Sequence, residues 1–534
     1  MLTARLIITT GVLGMALSGH AQDTLLLRDY QFVKRTDAWL TSQNAAGLAR
    51  LATASIAEAE LSLTKGRGGL TNYDQSPDML QADVSVEAFS RLSRRAVAYG
   101  GITYGNFSGD DMAGSAFIYP DRRPFGIVED SLTNTGTKHR DTYHLTGAVG
   151  IDLWHGMAIG LKMDYTAANY AKYKDLRHKN KLMDMTLTAG FYAPVSSWLS
   201  LGTNYMYRRN TESLTFSLYG RTDKVYQSLI DYGCFMGRIE QFGGSGYTDK
   251  SWEMPLAEDD NGASVQLSAE YHGLAFYQAL TYARRNGYYG RKSPYTITYT
   301  SHQADLLGYE ARLTWKIRRA MIQADFSLSS ENLENLANNY RELRNESGAS
   351  HYEYYEPVKT ANKLWKNGQL ALTADLDIRH ELPLWTVMAS LQWMHRRQTA
   401  YLYPYYRRQD LKNTEALLSA THRLLTDKGV WTLSLTAAFL EGSGEPYEDL
   451  TFATPSDKQS PPASMDAWLW REYQYLTAPQ YRLGGSVGYA FLFPKTRLKT
   501  HVRLSATHRK ANQTYEYSQG KDHTQVVVAM GCTF

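Results

Sequence analysis

From Met157 to Tyr165 the chain alternates. Met157, Ile159, Leu161, Met163 and Tyr165 fall on one side of an extended strand, and Ala158, Gly160, Lys162 and Asp164 on the other. Leu307–Ile317 repeats the pattern, with Leu307, Tyr309, Leu313 and Trp315 opposing Glu310, Arg312 and Lys316. So does Gln369–Arg379, where Leu370, Leu372, Leu376 and Ile378 oppose Asp375, Asp377 and Arg379. Successive side chains of a strand point to opposite faces, so each stretch has one apolar and one charged face. Many runs reach about ten residues. That exceeds the five or six of an average sandwich strand and matches the 9–11 that a tilted strand needs to cross a bilayer.

The connections are asymmetric. One set is short, near Arg94, His155, Pro194, Gly273, Arg318, Pro383, Asp427 and Pro494. The other set is long, above all Asn106–Thr137, Phe216–Gly262, Asn332–Trp365 and Glu441–Gln480. Short turns on one rim and long loops on the other describe an outer-membrane barrel with periplasmic turns. The pattern predicts an all-β transmembrane antiparallel barrel of about 18 strands, with 16 as the alternative, over residues 53–534.

Both ends fit this setting. Arg5 and the apolar run Leu6–Leu17, followed by Gly19 and Ala21, predict a signal peptide over residues 1–21. Residues 22–52 are amphipathic but irregular and are expected as a periplasmic or plug segment. At the other end Val526, Val528, Met530, Cys532 and Phe534 share one face. Met530, Cys532 and Phe534 resemble the terminal signal that barrel assembly machinery reads.

The balance of 57 Lys+Arg against 53 Asp+Glu excludes a nucleic-acid-binding profile. The two cysteines, Cys234 and Cys532, exclude a disulfide scaffold and are expected to stay apart, Cys234 in an outer loop and Cys532 at the periplasmic end. The 39 tyrosines suit aromatic girdles. If the apolar face meets lipid, the other face lines the lumen. The lumen-lining acids are then Glu58, Glu60, Asp83, Glu87, Asp164, Asp184, Glu310, Asp375 and Asp377, and the bases Lys162, Arg312, Arg379 and Arg503. Such charges either pair across strands or tune a polar conduit. The first acids are placed to meet Arg28, Lys34, Arg35 and Arg50 of the plug segment.

Tyr401, Tyr403, Tyr405 and Tyr406 are expected in the outer aromatic belt. "EDDNG" at Glu258–Gly262 clusters hard oxygen ligands but lacks EF-hand spacing, and is expected as a solvated loop. His144, His422, His501 and His508 form no recognisable nucleophile motif, and no phosphate loop, zinc spacing or dinucleotide fingerprint is present. No enzyme activity, metal or cofactor is therefore expected.

The signal peptide, "WLTSQNAAGLARL" before the first strand, the Tyr-rich loops and the terminal Phe resemble an uncharacterised family of large bacterial outer-membrane barrels. That resemblance implies an outer-membrane location and a setting similar to accessory components of TonB-dependent nutrient uptake. "QNAAGL" at Gln43–Leu48 also resembles the Asn-Pro-Ala element of the FadL-type hatch, with Ala45 where proline is expected. The expected function is a channel or accessory component for uptake of a small solute. The alternative is a non-conducting scaffold whose long loops dock a partner lipoprotein or transporter. Expected partners are outer-membrane lipids, the assembly machinery and, through the loops, such a transporter or surface lipoprotein.

Overall fold

The computed structural model describes residues 26–129, 134–219, 223–242, 254–493 and 498–534. The expected signal peptide and the turn at Pro494 lie outside the described residues. The strands in chain order begin with β1 (Ile56–Arg67), β2 (Asp78–Arg91), β3 (Ala96–Met112), β4 (Gly126–Glu129), β5 (Gly136–Asp152), β6 (Ala158–Lys172), β7 (Arg177–Pro194) and β8 (Leu199–Ser217). They continue with β9 (Gln227–Gly233), β10 (Met236–Gln241), β11 (Met254–Tyr271), β12 (Leu274–Ser293), β13 (Thr296–Ile317), β14 (Ala320–Ala337), β15 (Tyr340–Arg344) and β16 (Ser350–Tyr354). The last are β17 (Val358–Arg379), β18 (Leu382–Leu402), β19 (Tyr405–Thr426), β20 (Gly429–Thr451), β21 (Ala463–Ser464), β22 (Gln480–Leu492), β23 (Lys499–Ala511) and β24 (Asp522–Thr533).

Eighteen of these form one antiparallel sheet, and β1 pairs with both β2 and β24, so the sheet closes into the expected barrel. Closure removes every unpaired edge, the condition for a sheet to sit in lipid. Ala57 and Phe534 exchange both backbone hydrogen bonds at the seam (2.8 and 3.0 Å). Met530 is exposed on the outer face of this seam and Cys532 is half-buried.

The apolar face points outward. Leu161, Leu418 and Leu435 are 62%, 64% and 73% exposed, which only lipid makes tolerable. On β18 the outward side chains run Trp385, Val387, Leu391, Trp393, so two tryptophans bracket nine residues of strand. That is the length a tilted strand needs to cross the membrane core. At the outer edge of the band tyrosine hydroxyls donate to polar neighbours: Tyr104 to Asp141 (2.9 Å), Tyr205 to Asn261 (2.6 Å) and Tyr282 to Asp305 (2.7 Å). The protein is thus an outer-membrane barrel with an aromatic girdle, its wall in contact with lipid.

Three expectations need correction. Tyr401 and Tyr406 are not in that girdle. They lie about 26 Å of strand beyond Trp393 and cluster with Phe452, whose ring is 4.5 Å from Tyr406. "EDDNG" is not a loop but part of β11. There Glu258 and Asp260 face inward onto arginines, while Asp259 and Asn261 face outward onto Tyr207 and Tyr205. Among the described residues no group of acids or histidines is set to hold a metal. The long loops are also shorter than expected, because β11, β14, β17 and β20 run on past the membrane; β20 has 23 residues. Above the lipid both faces of the wall are polar, so the alternation that marks a membrane strand is missing there.

Cys234 belongs to the connection between β8 and β11 at the outer end. It sits in the β9–β10 turn, which folds into the lumen, and it is 1% exposed with its Sγ 3.9 Å from the Gln398 carbonyl. Both cysteines are free. Burial pushes the Cys234 thiol well above its ordinary range, and the thiolate is the reactive form. A maleimide should therefore leave Cys234 unlabelled in the folded protein and label it only after unfolding, as read by mass spectrometry. Reductant should leave gel mobility unchanged.

Candidate functional site

The lumen is filled from both ends. At the periplasmic end lie residues 26–51. Asp29 caps helix α1 (Tyr30–Arg35), Asp37 caps α2 (Ala38–Thr41), and Asn44 caps a 3-10 turn (Ala45–Arg50), each accepting a backbone N–H. The segment meets strands all round the barrel. Arg28 pairs with Glu381 (2.8 Å), Lys34 with Glu87 (2.7 Å) and Arg35 bidentately with Asp375 (2.6 and 2.7 Å). Gln31 donates to Glu58 (2.8 Å), Arg423 to Asp29 (3.2 Å), and Arg50 joins Asp37 and Glu270. Trp39 stands edge-on between Tyr192 and Tyr277, with its Nε1 donating to Ser268 (3.0 Å).

Asn44 to Leu48 have a seat in the wall made of glycines. A Cβ on Gly150 would come 2.6 Å from the Ala45 carbonyl oxygen, and one on Gly202 2.6 Å from the Trp39 ring. One on Gly160 would collide with the Ala46 and Ala45 backbone, and one on Gly190 with Asn44 Oδ1. The Asn44 amide spans three strands, donating to Phe191 O (2.8 Å), Thr203 O (3.3 Å) and Gln266 Oε1 (3.0 Å).

Lys162 donates to Gln43 (3.1 Å) and pairs with Asp164 (3.3 Å); Arg312 pairs with Asp325 (2.5 Å) and donates to the Arg35 carbonyl (3.3 Å). Glu60 meets His501 (3.1 Å) and Arg503 (2.8 Å), Asp184 meets Arg208 (2.7 Å), and Asp83 accepts from Gln81 (2.8 Å). Glu310 borders a cavity of about 450 Å³ at mid-barrel. Asp377 and Arg379 pair with each other (3.1 Å) at the periplasmic turn, half-exposed. The left-handed backbone at Asp377 (φ +48°) breaks the alternation there, which puts this pair on the rim rather than along the lumen.

At the outer end three loops turn inward and build a cap. β4, β9, β10 and β21 form a small sheet, backed by helix α3 (Asp466–Thr477). Its core holds Phe117, Phe125, Ile127, Ile230 and Met236, and beside it Leu229, Phe235, Trp468 and Leu469. Buried charges lock it to the wall. Arg123 reaches Glu212 (2.7 Å) and Glu258 (3.4 Å), all nearly inaccessible. Lys138 and Lys172 both reach Glu129, Arg396 binds Glu472 (2.6 Å), and Lys363 donates to the Arg123 carbonyl (3.0 Å). The sequence reading missed this cap. The signal was there: apolar runs such as Leu229–Met236 and Trp468–Leu469 sit in loops that, if extracellular, would put them in water.

Between cap and plug two cavities stack along one side. The outer one, about 570 Å³, is lined by Asp74, Phe107, Tyr119, Arg140, Tyr475 and the inward row Arg482, Arg509, His523, among others. The lower one, about 380 Å³, is lined by Glu58, Glu60, His501, Arg503 and the plug residues Asp29, Tyr30 and Gln31. Strand register relates them. Thr507 and Gln525 border the outer cavity and Gly488 and Arg503 the lower one. The one inward-facing register row between is Ser434, Ser486, Ser505, Val527 and Thr64.

Asp74, in the β1–β2 loop, is half-buried, and its inaccessible Oδ1 lacks any partner among the described residues. Burial, and after it the Asp121 carboxylate, holds it up at about 7 from an ordinary 3.8. The unfolded chain therefore loses this proton at lower pH than the folded one. The contribution to stability is complete below about 4 and lost as pH rises through about 7. Asp74→Asn should flatten the pH dependence of thermal melting over that window and make the protein more stable than the parent at pH 8.

His144 lies 3.4 Å from Thr146 Oγ1 and 3.9 Å from Asp164, but through the same Nε2 atom. A nucleophilic relay needs base and orienting acid on different ring nitrogens. His422 stacks on Trp385 (3.9 Å) on the lipid face.

Solved structures with similar architecture include the ferric preacinetobactin receptor BauA from Acinetobacter baumannii (10% identity, covering 90% of this chain and 80% of that one, TM-score 0.40). The outer membrane transporter YddB from Escherichia coli is similar at 10% identity (89% and 81% covered, TM-score 0.40). A Pseudomonas aeruginosa FadL homologue is similar at 11% identity (92% of each chain, TM-score 0.34). No curated protein matches the chain in sequence. The model of one family, described as a family of unknown function (DUF6850), matches residues 45–534, from the 3-10 turn of the plug to the closing strand, and the chain belongs to that family.

Proposed function

We propose that the protein admits small polar solutes across the outer membrane along the β22–β24 side of its lumen, with residues 26–51 as the periplasmic gate. The stacking of the two cavities carries this reading, since a single row of small, mostly hydroxylated side chains separates them. The route ends on Asp29, Tyr30 and Gln31. Around them the plug is held by partly exposed charge pairs such as Arg28–Glu381 and Lys34–Glu87. The Asn44–Leu48 end is fixed in the glycine seat, so opening means that α1 lifts its buried Tyr30 and Val33 and breaks the Arg35–Asp375 pair while the 3-10 turn stays. Proteoliposomes should swell in arabinose or glucose; vesicles that stay impermeable to both would count against the reading.

A second reading is favoured by one feature. Tyr401, Tyr406 and Phe452 form a partly exposed aromatic cluster at the β18–β19 hairpin, where Tyr403 is 69% exposed and Phe452 58%. Such a patch suits docking of a surface lipoprotein or transporter. Extraction in mild detergent should then retain a partner that Phe452→Asp releases; recovery of a bare monomer would sink this reading.

For assembly, we propose that Met530, Cys532 and Phe534 present the outward face that the assembly machinery recognises. Phe534→Ser should lower the heat-modifiable folded fraction severalfold, whereas Cys532→Val should leave it unchanged.

A further inference from the structure

We propose that the inward row Arg482–Arg509–His523 in the outer cavity is an oxyanion subsite, which takes the carboxylate or phosphate of a small hydroxylated solute. The inference deepens the uptake reading by naming the solute's chemistry.

Arg482 on β22, Arg509 on β23 and His523 on β24 are direct cross-strand neighbours on one face. Like charges directly opposite each other are disfavoured in a sheet. Here only one of the two guanidiniums has a carboxylate: Glu415 takes Arg482, whose Nε is left without a partner. Arg509 has no carboxylate partner among the described residues. It is positioned by Tyr475 alone, through the hydroxyl (2.6 Å) and the ring face (5.6 Å). Arginine presents a planar fork that matches two oxygens of a carboxylate or phosphate.

The surroundings extend the argument. The inner face of β22–β24 also carries Lys499, His501 and Arg503 and no carboxylate, so the positive lining continues down the wall towards the lower cavity. Arg140, which also lines the cavity, is stacked between Phe107 (5.3 Å) and Tyr119 (5.9 Å) and adds a further cation. The facing loop brings Asp74, whose Oδ1 is free to accept. A hydroxyl on the ligand satisfies that acceptor while its oxyanion meets the arginines. A cavity of about 570 Å³ is in the range of small-molecule sites.

The test is equilibrium binding to the purified full-length protein in detergent, with glucose, glucuronate, glucose 6-phosphate and inorganic phosphate as probes. Glucuronate or glucose 6-phosphate should bind at least tenfold more tightly than glucose, and more weakly at higher salt. Inorganic phosphate, lacking the sugar hydroxyls, should bind more weakly than glucose 6-phosphate. Arg509→Gln should abolish the preference for the charged sugars, Arg509→Lys should restore part of it, and Lys366→Gln, on the outer surface of β17, should leave it intact. Heat-modifiable mobility confirms that each variant is folded. Equal affinity for glucose and the charged sugars, or an unchanged preference in folded Arg509→Gln, would overturn the subsite. Because binding is read in detergent, a protein that binds but does not conduct refutes only the uptake reading, and one that conducts without this preference refutes only the subsite.

Discussion

Replacing Gly160 with leucine (Gly160→Leu) should release the N-terminal plug while leaving the barrel folded. Gly160 lies on β6 against the backbone of Ala45 and Ala46, where even a methyl group has no room. The wall strand is fixed by its pairings to β5 and β7, so the plug must give way. Overpacking of this kind costs about 1–3 kcal/mol, which shifts the docked-to-undocked ratio by up to roughly a hundredfold. Asn44 would lose its bonds to Phe191, Thr203 and Gln266 in the same step. Trypsin should then cut after Arg28, Lys34, Arg35 or Arg50 in the variant and not in the parent, with heat-modifiable mobility unchanged. Gly308→Ala is the control, since a Cβ there meets only Thr281 at 3.7 Å.

A larger loss is expected at the other end of the lumen. Arg123→Ala leaves Glu212 and Glu258 buried and without their shared cation. Breaking a buried pair by removing one partner costs about 3–5 kcal/mol. The penalty falls on the cap, because Arg123 sits in the loop that feeds β4 while both glutamates sit on wall strands. Glu212 would still accept from Asn180 of the neighbouring wall strand β7 (2.6 Å) and from the Ile118 amide (2.9 Å), so the wall keeps its own bond. Hydrogen exchange should therefore accelerate by two to three orders of magnitude in β4, β9 and β10 and hardly at all in β7, β8 and β11. A double variant, Arg123→Leu with Glu212→Gln, should recover part of the loss, because it removes one of the two stranded charges.

The membrane wall was legible because lipid imposes a strict code. Leu161, Leu313 and Leu372 each alternate with a polar neighbour, and that alone gives face, register sense and strand count. The charged partners of the plug were legible for a related reason: Glu87 and Asp375 face the lumen by parity, and the preceding segment supplies Lys34 and Arg35. The glycine seat was not. Gly160 and Gly190 read as small inward residues, and their meaning comes from Asn44–Ala46, more than a hundred positions earlier. The cap escaped because its strands are short and come from separate loops; β21 has two residues, and nothing local joins it to β10. The upper wall escaped because its outer face is polar and its inner face carries charges that pair under the cap, so Asp259 and Asp260 mark no boundary. In the candidate route, Arg482, Arg509 and His523 are scattered in sequence and become one row only through the pairing of three strands.

The account stands on the plug being the gate of a solute route. Its most direct measurement is the swelling rate of proteoliposomes in arabinose, with the parent protein and Gly160→Leu compared at equal folded content. The account predicts slow swelling with the parent and at least a tenfold faster rate with the variant. No swelling with either protein, or equal rates after trypsin has shown the plug released, would contradict it.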